Sequence, residues 1–104
     1  MIRTVEKRYE IGDSITFKIE VRDTNNELAD PDEIYLDIVD FDNNKIIENE
    51  PMDHDATGEY SLDVYLSNSS FQQGGYYAII HGSSEGYHFY EEKFFYVNPS
   101  RKND

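Results

Sequence analysis

The sequence predicts an all-β fold, a sandwich or small barrel of about seven short strands, and two observations carry that reading. Apolar and polar residues alternate in twos along several segments, while an i, i+3, i+4, i+7 stripe nowhere persists beyond a turn or two. Clusters of Gly, Pro, Asn and Asp punctuate the chain about every ten residues, the spacing of turns between short strands. The length of 104 residues fits one domain, expected to span 1–98 with a tail at 99–104. Such a chain buries roughly two-thirds of its unfolded surface, enough for a single core. Cysteine is absent, so packing and the strand ladder carry stability without disulfides.

Thr4 to Glu10 reads as a short edge strand, with Ile11-Gly12-Asp13 turning into a second. From Ser14 to Arg22, Ile15, Phe17, Ile19 and Val21 fall on one side and Thr16, Lys18 and Glu20 on the other, the pattern of a strand with one wet face. Asp23-Thr24-Asn25-Asn26 is a turn cluster, and Pro31 restricts both itself and Asp30 to extended or turning backbone. The third strand, Ile34 to Phe41, sorts Ile34, Leu36 and Ile38 from Tyr35, Asp37 and Val39. Asp42-Asn43-Asn44 turns the chain into a short strand at Lys45 to Glu48, followed by a polar loop from Asn49 to Thr57. Gly58 to Leu66 then places Tyr60, Leu62, Val64 and Leu66 inward, and Ser67 to Gly75 is a second loop. Two aromatic-rich strands close the domain, Tyr76 to His81 and Tyr87 to Val97, separated by a turn at Gly82-Ser83-Ser84-Glu85-Gly86.

The 22 acidic residues outweigh 9 basic ones, and the net charge of −13 repels phosphate backbones and anionic lipid. Nucleic acid and membrane surfaces are therefore not expected partners. The N-terminus carries no apolar secretory stretch, and no run approaches the ~20 apolar residues of a membrane span. The expectation is cytoplasmic synthesis, with any delivery outside by a route that needs no signal, such as virion assembly and lysis.

Chemistry-bearing constellations are sparse. Asp30, Asp32, Asp53 and Asp55 fall in loops where calcium is conceivable, but turn and capping roles account for such residues more simply. Asp40 to Lys45 resembles the start of an EF-hand loop, yet lacks its glycine and has Pro51 where the bidentate glutamate belongs. His54, His81 and His88 are scattered, without the spacing or the cysteines of a zinc site. Asn68-Ser69-Ser70 fits the glycosylation pattern at chance level, and no nucleophile elbow or phosphate-binding glycine loop is present. No cofactor, metal or enzymatic reaction is expected.

The informative anomaly is aromatic: nine tyrosines and six phenylalanines, crowded toward the C-terminal third. With Tyr76, Ala78 and Ile80 inward, alternation turns Tyr77 and Ile79 outward; with Phe95 and Val97 inward, Phe94 and Tyr96 join them. Tyr35 and Val39 add to the same sheet face, so these six residues form the candidate partner-binding surface, unless a bulge or a covering loop hides the rings. Tyrosine and phenylalanine suit such faces because they bury large areas with few rotatable bonds. A carbohydrate platform uses the same rings and stands as the alternative.

The run Gly12-Asp13-Ser14-Ile15-Thr16-Phe17, then Leu28-Ala29-Asp30-Pro31-Asp32, Thr57-Gly58-Glu59-Tyr60, Gly74-Gly75-Tyr76-Tyr77-Ala78 and Phe94-Phe95-Tyr96-Val97 resembles the immunoglobulin-like and fibronectin-like modules of phage virion and prokaryotic surface proteins. The resemblance spans nearly the whole chain and implies an immunoglobulin-like antiparallel β-sandwich with the third, sixth and seventh strands in one sheet. It further implies a structural module of a virion or surface assembly that meets protein partners or its own copies. The missing cysteine pair and tryptophan set the chain apart from antibody-type domains.

Overall fold

The computed structural model describes residues 7–99, with Lys7 described by its backbone alone. Eight strands follow in order: β1 (Lys7–Glu10), β2 (Ser14–Glu20), β3 (Glu33–Asp40), β4 (Lys45–Pro51), β5 (Asp53–Ala56), β6 (Glu59–Tyr65), β7 (Gly74–Ser84) and β8 (Tyr87–Asn98). They form a five-stranded sheet of order β1-β8-β7-β3-β4 and a three-stranded sheet of order β2-β6-β5. The fold is thus an all-β sandwich, in which β2, β6 and β5 face the larger sheet that holds β3, β7 and β8. All pairings are antiparallel except β1 with β8, which run parallel from Lys7↔Phe95 to Glu10↔Asn98.

The core lies where the alternation puts it. β3 contributes Ile34, Leu36 and Ile38, β7 contributes Tyr76, Ala78 and Ile80, and β8 contributes Phe95 and Val97; these meet Ile15, Phe17, Tyr60 and Val64 of the smaller sheet. Tyr76 stacks on Phe95 at 5.5 Å between centroids, and Phe17 tilts onto the same ring at 5.8 Å. Offset and tilted rings suit the quadrupoles of aromatic pairs. Met52, Leu66 and Phe71 close the core from the connections.

Tyr76 also ties a loop to the sheet. Its hydroxyl accepts a hydrogen bond from Gln72 N and donates one to Gln72 O, both at 2.8 Å. A hydroxyl bonded to both backbone groups of a residue four positions upstream pins the crossing connection to the sheet. Phe71 packs edge-on against the same ring at 5.2 Å, which makes the Ser67–Gln73 connection an organised corner.

Three expectations are corrected. The segment 49–57, expected as a loop, instead extends β4 to Pro51 and forms β5, whose four residues are all exposed. A strand wet on both faces carries no alternation, so the usual signal is absent. Gly82 belongs to β7, since the turn is only Glu85-Gly86, with φ of 51° and 86° and hence the left-handed pair of a two-residue hairpin. Gly82 is glycine for a different reason: a Cβ there would stand 2.1 Å from the Glu33 carbonyl oxygen. Lastly, β7 begins at Gly74, inside the segment expected as loop. The expected strand residues Thr4, Val5 and Glu6, and the tail beyond Pro99, lie outside the described residues.

Candidate functional site

The outward face of the five-stranded sheet is fixed by register. Val39, Tyr77 and Phe94 are cross-strand neighbours; Asp37, Ile79 and Glu92 form the next row, and Tyr35, His81 and Tyr90 the row beyond. On the other side, Tyr96 lies opposite Gly75 and beside Arg8. All six residues expected on this face therefore share it, but they do not make one continuous apolar surface. Ile79 sits between two carboxylates, so the row of Asp37 and Glu92 divides an aromatic end from an ionisable end. Tyr35 belongs to the second end, away from Tyr77 and Phe94.

The aromatic end contains a ring that strand alternation did not single out. Phe41 follows β3 and folds back over the sheet, stacking on Phe94 at 5.6 Å and tilting onto Tyr77 at 5.3 Å, while Tyr77 and Phe94 meet at 5.9 Å. The close approach depends on Gly75, where a Cβ would lie 2.5 Å from Phe41 Cζ and 2.9 Å from Phe94 Cε1. Phe41 itself remains 59% exposed. Val39 is corrected from an exposed to a covered position: it is 7% exposed yet stands apart from the core cluster, so its cover lies on the outer side. The Arg8 guanidinium carbon stands 5.1 Å over the Tyr96 ring and extends the surface with a cation on a π face.

The β3–β4 hairpin that aims Phe41 is built by polar residues. Asp40 N donates to Asn44 O at 3.0 Å and Asn43 N to Asp40 O at 3.1 Å, with Asn43 at φ 70°. The Asp40 Oδ1 accepts from Asp42 N and Asn44 N, and Oδ2 from the Asn44 amide. The Asn44 backbone bond, above all, holds the Asp40 carboxyl below the usual carboxylate range. Asx-type bonding of this kind replaces loop entropy with a fixed turn.

At the ionisable end, Tyr35 donates to Glu33 Oε1 at 2.9 Å, and Ser83 donates to Glu33 Oε2 at 3.2 Å. The hydrogen bond to Glu33 raises the Tyr35 phenol above its ordinary pKa, because it favours the protonated form. Asp37 Oδ1 accepts from Asn49 N at 2.6 Å and lies 3.2 Å from His81 Nε2, so this carboxylate both pins the β4 bulge and orients the imidazole. A shallow hollow of about 350 Å³ opens here, lined by Tyr35, Asn49, His81 and His88 among others.

Two of the four aspartates expected in loops, Asp30 and Asp32, serve the backbone. Asp30 Oδ1 accepts from Gly58 N at 2.7 Å and lies 3.1 Å from His54 Nε2; the Gly58 bond is the main reason its carboxyl is held below the usual range. Asp32 Oδ2 accepts from Glu85 N at 3.0 Å and so braces the β7–β8 hairpin. Asp53 and Asp55 stand exposed on β5. Among the described residues no three His, Asp or Glu side chains gather in a group that could hold a metal ion.

Fold and face together define a β-sandwich carrying a ring-covered outer sheet surface. No known family model matches the chain, and no curated protein is similar to it.

Proposed function

We infer that this chain is a non-enzymatic interaction module that docks a protein through the outer face of its five-stranded sheet. The observation that carries the reading is the Phe41–Tyr77–Phe94 cluster, in which rings stack on the solvent side of the sheet with Phe41 held largely exposed. A turn residue of this size in water has a hydrophobic cost that a docked partner removes. Aromatic anchors of this kind carry about 2 kcal/mol or more each in a well-filled interface. The setting, a virion or surface assembly, rests on the resemblance of the strand motifs alone.

Replacing Tyr77 and Phe94 together with serine is expected to weaken assembly with the physiological partner at least tenfold while leaving the β-rich circular dichroism spectrum intact. Affinity capture of partners from the source cell, followed by titration of wild-type and variant protein, measures this. Equal affinities would reject the face.

A second reading, a carbohydrate-binding module, is favoured by the hollow at the ionisable end, where Tyr35, Asn49 and His81 surround about 350 Å³. A ring beside hydrogen-bonding groups is the general form of a sugar subsite. Glycan-array binding by the isolated chain that Tyr35→Ala abolishes and the Tyr77/Phe94 double variant leaves alone would select this reading.

A further inference from the structure

The ionisable end of the outer face differs from the aromatic end in both shape and charge. Its hollow of about 350 Å³ is walled by Glu33 and Tyr35 of β3, Asn49 of β4 and His81 of β7, with His88 of β8 completing the lining. These walls come mainly from strands inside the sheet, so the opening does not depend on what runs along the outer edge of β8. The Tyr35 and His81 rings form a tilted pair at 5.8 Å, and Tyr35 is bonded to the Glu33 carboxylate.

The carboxylates here have bonding capacity left over. Glu33 receives one hydrogen bond on each oxygen, from Tyr35 on Oε1 and from Ser83 on Oε2, whereas a carboxylate accepts about four. The Asp37 side chain is only 13% exposed; its Oδ1 takes the Asn49 N–H and the contact with His81 Nε2. Asp37 Oδ2 holds no hydrogen bond among the described residues. Glu92 stands in the same row as Asp37, across Ile79. Among the described residues no lysine or arginine lines the hollow. The cations of this face stand at its other end, Lys45 level with Val39 and Arg8 level with Tyr96. A largely covered carboxylate with a free oxygen is costly in the lone chain, and an incoming cation relieves that cost.

Resting on the reading of the outer face as a protein-docking surface, we propose that the hollow receives an arginine side chain of the docked partner. An apolar side chain of the same partner sits on Phe41, Tyr77 and Phe94. Arginine fits better than lysine, because its planar fork spans the open positions of a carboxylate and its face stacks on rings such as those of Tyr35 and His81. Four strand residues separate Tyr77 from His81, so the two anchor points stand about 13 Å apart. That spacing matches an i, i+4 pair on an extended segment. A second copy of this chain does not fit the role, since two bodies of net charge −13 repel.

The test uses the full chain with three capped seven-residue peptides. One carries leucine and arginine four positions apart in a serine and threonine background, one has neutral citrulline in place of arginine, and one has leucine and arginine adjacent. In titrations followed by nuclear magnetic resonance, the first should bind at least fivefold more tightly than either of the others and shift the Tyr35 and His81 ring signals. E33Q, at an exposed position, should bring the ratio of arginine to citrulline binding close to unity while the β-rich circular dichroism spectrum is retained. The Tyr77/Phe94 serine variant should weaken both spaced peptides and leave their ratio in place, so the ratio reports on the hollow and the common affinity on the face. Equal binding of the arginine and citrulline peptides, or a ratio that E33Q does not lower, overturns the arginine site and leaves the face to its own variant. Ring shifts at Tyr35 and His81 raised by maltohexaose and not by the arginine peptide also overturn it, and assign the hollow to carbohydrate.

Discussion

Tyr76 illustrates how one atom serves two levels of structure. Its ring is part of the core beside Phe95 and Phe71, while its hydroxyl supplies both partners for the Gln72 backbone. Removing the oxygen leaves the ring packing and strands a backbone donor and acceptor in a partly buried corner. Tyr76→Phe is therefore expected to lower stability by about 1 to 3 kcal/mol, the usual cost of leaving such groups unsatisfied. Urea denaturation followed by fluorescence measures it, and an unchanged midpoint would show that water replaces the bond without loss. The sequence announces Tyr76 only as an inward strand residue. Its second role depends on how the Ser67–Gln73 connection folds back, which alternation does not encode.

Among the elements, the β3–β4 hairpin matters most, because it sets a turn residue down on a sheet. Gly75→Ala would place a methyl 2.5 Å from the Phe41 ring, so the ring must swing away or the strand must shift. The expected result is a stability loss of about 1 to 3 kcal/mol, as for other overpacked sites. A change in near-ultraviolet circular dichroism should accompany it, reporting the lost Phe41–Phe94 stack. An unaltered spectrum would mean the cluster is looser than its geometry implies. β2, β3 and β6 were legible in the sequence because each has one dry and one wet face. β5 was not, since Asp53–Ala56 has two wet faces, and neither was the end of β7, where Gly82 imitates a turn signal while filling a crowded strand position. The candidate face was legible in its parity but not in its composition. Alternation correctly grouped Tyr35, Val39, Tyr77, Ile79, Phe94 and Tyr96, yet cross-strand register, which inserts Asp37 and Glu92 between them, emerges only when strands are paired. Phe41 had a sequence signal that strand periodicity overlooks: a large ring in an otherwise polar turn, with two adjacent small residues, Gly74 and Gly75, elsewhere in the chain.

Across the whole molecule, stability should plateau near neutral pH and fall on both sides. Asp30 and Asp40 are held below the ~3.9 of an unfolded aspartate, so their contribution is complete above that value and is lost as pH falls through their folded pKa values. Tyr35, bonded to Glu33, and Tyr60, desolvated in the core beside Asp30, are raised above the ~10 of an unfolded tyrosine. Their contribution is complete below that value and is lost as pH rises through the folded ones. Urea midpoints measured from pH 2 to 11 check both limbs, and Asp30→Asn with Asp40→Asn should flatten the acid limb while sparing the alkaline one. An acid limb as steep in that variant as in the wild type would place the titration elsewhere among the 22 acidic residues.

The parallel union of β1 with β8 has a consequence for how the molecule is made. Lys7 finds Phe95 only after the intervening stretch has left the ribosome, so β1 waits, unclaimed, while the rest of the sandwich is made. Contacts between such distant points are slow to form. Until they do, the nascent sheet shows the ladder groups of Phe95–Asn98 to any passing chain, a hazard that the surplus of negative charge helps to hold at arm's length.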